Sequence, residues 1–151
     1  MKIYLDVCCL NRPFDNQAQN RIAIEAAAIV RVLELVEAGM VSDYSSEMAQ
    51  VEIEQIPDAD RRRKVKGLLP PSRRIQPLTT HLLDEAEKIV RRGFKLADAV
   101  HLAAAAELDI DAFLTVDDDL LKRARKNAYH IGVTVRDPVS FVREMSDEHD
   151  R

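Results

Sequence analysis

The stretch Ala112-Phe113-Leu114-Thr115-Val116-Asp117 carries the pattern that decides the fold, because a short apolar run ends directly in a carboxylate. The N-terminal stretch Ile3-Tyr4-Leu5-Asp6 repeats this pattern. Short, nearly continuous apolar runs are typical of strands that are buried on both faces of a parallel sheet. Ligands of open parallel sheets bind at the carboxyl ends of the strands. We therefore predict that Asp6 and Asp117 meet at one edge of a sheet.

Outward from these two runs, apolar periodicity predicts strands that alternate with helices. Residues 18–38 form a predicted helix with an apolar stripe, and it ends before Gly39. Residues 96–108 form an alanine-rich helix that is apolar nearly all round and is predicted to be deeply packed. The other predicted elements are strands at 2–6, 40–44, 111–116 and 131–135, helices at 46–56, 59–69, 80–92 and 118–128, a C-terminal helix that Pro138 opens, a loop at 11–16 and an extended or irregular segment at 73–78. This alternation indicates an α/β fold with a mainly parallel central sheet covered by helices on both faces.

Length and composition indicate a single domain. The chain has 151 residues, of which 46% are hydrophobic and 32% charged, and its net charge is −4. We predict one domain over residues 1–145 and a frayed tail over 146–151. No apolar run approaches the ~18 residues of a membrane span, and the chain enters its first strand without room for a signal peptide, so a cytoplasmic protein is expected. The adjacent Cys8 and Cys9 are predicted to be reduced core residues.

A third carboxylate, Glu52, lies on the apolar face of the predicted helix at 46–56. At about 100° per residue, Glu52 projects between Met48 and Ile56, whereas Glu47 and Glu54 project to the opposite side. A carboxylate on a buried face is costly unless it is paired or bound to a metal. The pattern therefore favours a metal ligand over the alternative, an internal salt bridge to an arginine.

Further acids open two predicted helices. Asp98 lies in the first turn of the 96–108 helix, where an acid also complements the helix dipole. His101 follows one turn later, either as support for the acids or as a structural residue. Asp117 is the best ligand candidate at the start of the next helix, and Asp119 adds a ligand through water. Thr115 is predicted to orient Asp117 by a hydrogen bond.

Together these acids predict a metal-dependent enzyme that acts on a phosphate ester. Clustered carboxylates repel one another, and hard divalent cations prefer oxygen ligands. Because Mg²⁺ takes only one or two carboxylates directly, Asp6 and Asp98 are the predicted direct ligands. Glu52 and Asp117 are predicted to act through water or to hold a second ion. For Asp6 the alternative is a turn residue, since no helix is predicted beside it.

The order and spacing of these motifs resemble the PIN domain, the fold of VapC-type ribonuclease toxins and related nucleases. The segment Cys9-Leu10-Asn11-Arg12-Pro13-Phe14-Asp15 also resembles a subset of PIN proteins. Many members have Thr or Ser directly after the first Asp, where this chain has Val7. The resemblance covers roughly residues 2–142 and is carried by the strand that ends in Asp6, the helix start with Ser46 and Glu52, the helix start Leu96-Ala97-Asp98-Ala99, and the strand end Leu114-Thr115-Val116-Asp117.

The resemblance implies a three-layer α/β/α fold and a Mg²⁺- or Mn²⁺-dependent endoribonuclease that hydrolyses RNA phosphodiesters. Many such proteins are toxins that an antitoxin silences by inserting into the site, and a homodimer is expected by analogy. Arg12 is predicted to reach a substrate phosphate, with pairing to Asp15 as the alternative. The predicted catalytic residues are Asp6, Glu52, Asp98 and Asp117, which together with Asp119 also hold the metal, and the predicted substrate contacts are Asn11, Arg12 and Thr115.

Basic runs offer phosphate contacts in spite of the negative net charge. They lie at 61–66, 73–74, 91–95 and 122–126, and each is alternatively a solvated helix face.

Three other classes of protein are alternatives to a metal-dependent nuclease. The main rival is a non-catalytic PIN-fold module that acts through protein contacts, which Val7 supports and the four acids oppose. A phosphatase with an aspartyl nucleophile would have a second acid shortly after Asp6, and none is present there. A dinucleotide enzyme is unsupported, because the chain contains no Gly-x-Gly-x-x-Gly sequence.

Overall fold

Five parallel strands in the order β3-β2-β1-β4-β5 form the centre of the computed structural model, which describes residues 1–149. The strands are β1 (Lys2–Leu5), β2 (Ser42–Ser46), β3 (Ile75–Gln76), β4 (Ala112–Leu114) and β5 (Val135–Arg136). The helices are α1 (Val7–Asn11), α2 (Asn20–Glu37), α3 (Glu47–Glu54), α4 (Ala59–Lys66), α5 (Thr80–Val90), α6 (Leu96–Glu107), α7 (Asp118–Lys126) and α8 (Pro138–His149), and two short 3₁₀ turns cover Arg12–Phe14 and Ser72–Arg74.

Alternate residues of the strands divide the core into two halves. Ile3 and Leu5 of β1 face one side and pack with residues of α1–α4 and α8. Tyr4 and Phe113 face the other side and pack with residues of α5, α6 and α7. Every residue from Ala99 to Ala105 of α6 is buried, as the alanine-rich pattern predicted. The predicted three-layer α/β/α class with a parallel sheet is therefore confirmed.

The direction in which strands are added reverses between β1 and β4. β2 and β3 extend the sheet on one side of β1, whereas β4 and β5 extend it on the other side. Ligand sites of open α/β sheets form at such a switch point. Asp6 follows β1 at this position, and its backbone N–H donates to the carbonyl of Leu114 at 2.9 Å. The chain that leaves β4 at Leu114 leads directly to Asp117, so the two strand ends meet as predicted.

Two segments differ from the sequence prediction. The loop predicted at 11–16 is largely regular, because α1 runs to Asn11 and a 3₁₀ turn follows. Pro13 is tolerated there since it lies in the first turn, where its missing N–H is not needed. The strand predicted at 131–135 is also wrong, because only Val135 and Arg136 pair with β4. Gly132 has φ +70°, a left-handed conformation that a strand does not accept.

At the C-terminus, α8 begins at Pro138 as predicted and continues to His149. The sequence predicted fraying after Met145, and residues 150–151 of that predicted tail lie outside the described residues. None of the described helices is long and apolar enough to cross a membrane.

Candidate active site

Three donors hold Asp6 at the carboxyl end of β1. Its Oδ1 accepts from the N–H of Val7 at 2.9 Å, so Asp6 caps the N-terminus of α1. Its Oδ2 accepts from the hydroxyl of Thr115 at 2.7 Å and from the thiol of Cys8 at 3.3 Å. The turn-residue alternative for Asp6 is therefore corrected, because a helix that the sequence did not predict begins directly after it. These hydrogen bonds fix the orientation of the Asp6 carboxylate.

Thr115 links the ends of β1 and β4. Its Oγ1 donates to Asp6 and accepts from the backbone N–H of Asp117 at 3.1 Å. The sequence predicted that Thr115 orients the side chain of Asp117 and contacts the substrate. The predicted hydrogen bond to Asp117 is present through its backbone N–H, the hydroxyl also donates to Asp6, and the residue is 0% exposed. This geometry favours a positioning role for Thr115 over a substrate contact.

Asp117 is the N-cap of α7. Its Oδ1 accepts from the N–H groups of Asp119 and Leu120 at 3.0 and 3.2 Å. Asp117, the best metal-ligand candidate of this turn, is thus also the residue that caps α7. The neighbouring Asp118 is exposed and forms two hydrogen bonds, at 2.6 and 2.9 Å, with the guanidinium of Arg21. Asp119 is exposed in the same turn, and its backbone N–H donates to Asp117.

A buried polar chain positions Glu52. His101 on α6 is 1% exposed, and its Nε2 forms a hydrogen-bonded ion pair with Oε1 of Glu52. The Nδ1 atom of His101 lies 2.6 Å from the hydroxyl of Tyr4, which in turn lies 2.7 Å from Oγ of Ser46. Glu52 is therefore paired inside the protein, but with a histidine and not with the arginine that the alternative predicted.

Opposing effects set the charge of His101. Burial disfavours the imidazolium, but the hydrogen bond with Glu52 and the negative charges of Asp6, Glu52 and Asp98 outweigh burial and raise the pKa of His101. Burial also raises the pKa of Tyr4, so its phenol stays neutral. The bond between His101 and Glu52 consequently joins opposite charges and fixes the direction of the carboxylate.

Asp98 has no comparable compensation. It is half-buried in the first turn of α6. Its pKa is raised from 3.8 to about 6, first by burial and then by the charges of Asp6, Asp117 and Glu52, while His101 acts in the opposite direction. These couplings place Asp6, Asp117 and Glu52 within electrostatic range of Asp98. Their combined negative charge is only partly neutralised by the surrounding protein.

This arrangement of acids at the switch point of a parallel sheet agrees with the comparison to known families. A family model of the PIN domain matches residues 3–127. The chain belongs to the PIN domain family. PIN domains are typically nucleases, and they generally bind divalent metals. No curated protein matches the chain.

The acids of this PIN domain suit a hard divalent cation by chemical type and by charge. The raised pKa of Asp98 reports negative charge that a cation would neutralise. No three His, Cys, Asp or Glu side chains within residues 1–149 come close enough to form a compact metal-ligand group. Mg²⁺ keeps several waters and usually takes only one or two carboxylates directly, so a compact group of three side chains is not needed to hold it.

Two predicted substrate contacts are engaged within the protein. The side-chain oxygen of Asn11 accepts from Arg61 at 3.2 Å. Arg12 forms ion pairs with Asp15 at 3.1 Å and with the buried Glu25 at 3.2 Å. The pair with Asp15 is the alternative that the sequence left open for Arg12. These contacts favour structural roles for both residues.

Sequence reasoning missed several residues of the PIN-domain site. Tyr4 stood inside an apolar run, although strand alternation sets it opposite Ile3 and Leu5, and a buried tyrosine hydroxyl needs a partner. Cys9 is a buried core residue as predicted, and neither cysteine forms a disulfide. Cys8 is only half-buried, and its thiol lies 3.3 Å from Oδ2 of Asp6 and 3.3 Å from Oγ1 of Thr115. No local signal places a thiol there, because the contact depends on α1.

A separate cavity of about 570 Å³ lies at the amino end of β4 and β5, where Ile110, Arg125 and Val135 contribute to its lining. The acids lie at the carboxyl end of the same strands. We therefore assign the functional site to the acidic edge, because the perturbed pKa values and the positioned carboxylates are found there.

Proposed function

We propose that this PIN domain is a Mg²⁺- or Mn²⁺-dependent endoribonuclease that hydrolyses RNA phosphodiesters. The observation that carries the proposal is the position of Asp98 beside three other acids at the switch point of the sheet. Burial and the charges of those acids raise its pKa to about 6. Asp6 and Asp98 would hold the cation directly, and Glu52 and Asp117 through water. When bound, the cation lowers the pKa of a water and neutralises developing charge on the phosphodiester.

The protein's own contribution is the orientation of these acids before substrate binds. Thr115 and the N–H of Val7 hold the two oxygens of Asp6. His101 holds one oxygen of Glu52 by a hydrogen bond from its Nε2. Groups that are positioned in advance need no reorganisation during the reaction, and such positioning accounts for a large part of catalytic rate.

The proposal is tested by incubating the pure protein with labelled RNAs of different sequence in Mg²⁺, Mn²⁺ or EDTA. We expect cleavage only with a divalent ion, and loss of cleavage in Asp6→Asn and in Asp98→Asn. Glu47→Gln is the matched control, because Glu47 is an exposed acid at the start of α3. Cleavage that persists in EDTA, or that both aspartate variants retain, would refute the proposed site.

The rival function is a non-catalytic PIN-fold module that acts through protein contacts. Two observations support it: Val7 occupies the position where many members have a hydroxyl, and it is buried at 7% exposed. The same assay separates the two functions. RNA binding, or binding of a protein partner, without any metal-dependent cleavage favours the module.

We also propose that the protein is the toxin of a toxin–antitoxin pair and forms a homodimer, as the resemblance to VapC-type toxins implies. Induced expression in a bacterial host is expected to arrest growth in the wild type but not in Asp98→Asn. Light scattering of the pure protein is expected to give twice the 17.1 kDa mass of the chain. Normal growth or a monomeric mass would refute the corresponding part of the proposal.

A further inference from the structure

The basic residues of α4 are occupied by contacts within the protein. Arg61 donates to Asp15 at 2.8 Å and to the carbonyl of Phe14 at 2.6 Å, so it fastens α4 to the segment after α1. The next residue, Arg62, donates to a backbone carbonyl at 2.6 Å. The remaining ion pairs of this helix are Arg63 with Asp60, Lys64 with Asp60 and Lys66 with Glu54. Every basic side chain of the 61–66 run therefore already has a partner within the protein, and three acids are shared among four of its five charges.

A second group of basic residues behaves differently. It consists of five exposed side chains, none of which has an acidic partner within 4.0 Å among residues 1–149. We call this group the α5–α7 basic surface, and its members are Arg91, Arg92, Lys95, Arg123 and Lys126. Its positive charge is available to an external anion.

A close approach joins the two parts of this surface. Gly93 has φ +98°, and a Cβ built on it would lie 3.0 Å from Nη1 of Arg123. The guanidinium of α7 thus lies directly over the turn between α5 and α6. Arg92 and Lys95 flank Gly93 in sequence, so the charges of α7 and of the turn form one patch. Sequence spacing alone did not indicate this contact.

The Lys95 end of this patch lies closest to the acidic site. Lys95 is the N-cap residue of α6, and Asp98 lies in the first turn of that helix. Asp117 caps α7, the helix that carries Arg123 and Lys126. An RNA chain whose scissile phosphate lies at the acids would place its neighbouring phosphates within reach of these cations. Contacts of this kind position a nucleic acid and are independent of its sequence.

We propose that the α5–α7 basic surface binds the phosphate backbone of the RNA substrate beside the scissile bond, whereas the basic residues of α4 are engaged within the protein. This inference rests on the proposed ribonuclease function, and it adds the surface of the protein along which the RNA lies. It also accounts for RNA binding by a chain whose net charge is −4, since local positive charge, and not net charge, attracts the phosphates.

The test compares two triple variants that each remove three positive charges. The surface variant is Lys95→Gln/Arg123→Gln/Lys126→Gln, and the control is Arg63→Gln/Lys64→Gln/Lys66→Gln on α4. Binding of a fluorescent single-stranded RNA is measured at several salt concentrations in Ca²⁺, alongside cleavage in Mg²⁺. Melting curves check that each variant folds. If the surface variant does not fold, the single variants Lys95→Gln and Arg123→Gln replace it.

We expect the surface variant to bind at least tenfold more weakly at low salt. Each lost phosphate contact on a single strand reduces the slope of log K against log salt by about 0.7, so three contacts reduce it by about 2. The α4 control is expected to stay within twofold of the wild type. Equal weakening in both variants, or an unchanged slope in the surface variant, would overturn the proposal.

Two further outcomes separate this inference from the proposed function. In one outcome, the wild type binds RNA in a salt-dependent way but does not cleave it, and the surface variant does not bind. This outcome overturns the proposed ribonuclease function and supports the proposed RNA-binding surface. Polyglutamate serves as a probe for an acidic protein partner. If the surface variant loses polyglutamate binding but keeps RNA binding, the surface belongs to such a partner and the proposal fails.

Discussion

Replacing Asp98 by asparagine is expected to stabilise the metal-free protein at neutral pH. The pKa of Asp98 is about 6, against an ordinary value of 3.8. At 1.36 kcal/mol per pKa unit, this difference corresponds to about 3 kcal/mol in favour of the neutral side chain. Because Asp98 is half-exposed, solvent screens part of the repulsion, and we expect about 1–1.5 kcal/mol. An asparagine removes this cost, since it is neutral and nearly the same size.

The opposing effect is smaller. Asp98 lies in the first turn of α6, where a negative charge interacts favourably with the helix dipole by about 0.3–1 kcal/mol. The net gain for Asp98→Asn is therefore about 0–1.2 kcal/mol, and its central value of about 0.6 kcal/mol raises the melting temperature of a domain of this size by about 1–2 °C. Glu47→Gln is the matched control, because Glu47 is an exposed first-turn acid of α3. It is expected to lose stability slightly.

The pH dependence has a definite sign. The native pKa of Asp98 lies above its unfolded value, so the native state binds more protons between about pH 4 and pH 6. Stability of the wild type should fall as pH rises through that window, and Asp98→Asn should lack this component. His101 also has a raised native pKa, but its contribution is lost as pH rises above its ordinary value of 6.5. The two residues therefore act in different windows.

Denaturant unfolding of metal-stripped protein between pH 4.5 and 8 measures these differences, and parallel melts in millimolar Mn²⁺ complete the comparison. The cation should stabilise the wild type by mass action and should stabilise Asp98→Asn less. The reasoning is refuted if Asp98→Asn is less stable than the wild type at pH 7 without metal while its pH profile between 4 and 6 is unchanged.

Three further substitutions are expected to separate catalytic from structural roles. Glu52→Gln removes the charge paired with His101, so activity should fall and stability should drop by about 1–3 kcal/mol, as circular dichroism melts would measure. Thr115→Val removes the hydroxyl that holds Asp6, and Mn²⁺ affinity, followed by electron paramagnetic resonance, should weaken by about 10–100-fold. Arg12→Ala breaks ion pairs that are partly buried, so stability should fall by about 2–3 kcal/mol while KM for RNA changes little.

Each of these expectations has an opposite result that contradicts it. A normal stability for Glu52→Gln would mean that the pair with His101 contributes nothing. Thr115→Ser keeps the hydroxyl and should retain Mn²⁺ affinity, so equal losses in serine and valine variants would point to packing. A large rise in KM for Arg12→Ala, with stability unchanged, would restore the substrate contact that the sequence predicted.

The positions of the acids in the fold could be predicted because their signals are local. Asp6 and Asp117 each follow an apolar run, and the helix phase that placed Glu52 inward also placed Glu47 and Glu54 on the exposed side, as the structure shows. The helix α1 escaped prediction because five residues are too short for a periodic pattern, and isolated helices of that length are unstable. Its formation depends on the cap from Asp6 and on packing against the sheet.

Partners that are distant in sequence could not be predicted in the same way. Tyr4 and His101 are separated by 97 positions, and Arg61 and Asp15 by 46. Tyr4 meets His101 because α6 packs on the face of the sheet that carries Tyr4, and Arg61 meets Asp15 because α4 lies beside the segment after α1. No local pattern encodes either contact. The basic run at 61–66 therefore looked like a nucleic-acid contact in sequence, although its charges are used inside the protein.

The negative charge of the site explains why binding of RNA needs more positive charge than one divalent cation supplies. With His101 protonated, the four carboxylates retain a strongly negative balance, and a single divalent cation would neutralise only part of it. A phosphodiester brings a further negative charge into the same space. Attraction must then come from a second cation or from the exposed basic residues near Gly93, and the two sources differ in their response to salt. Phosphate contacts weaken steeply as salt rises. If the α5–α7 basic surface supplies the attraction, the apparent affinity for RNA should fall with salt at fixed Mg²⁺. If a second ion supplies it, raising Mg²⁺ at high salt should restore that affinity.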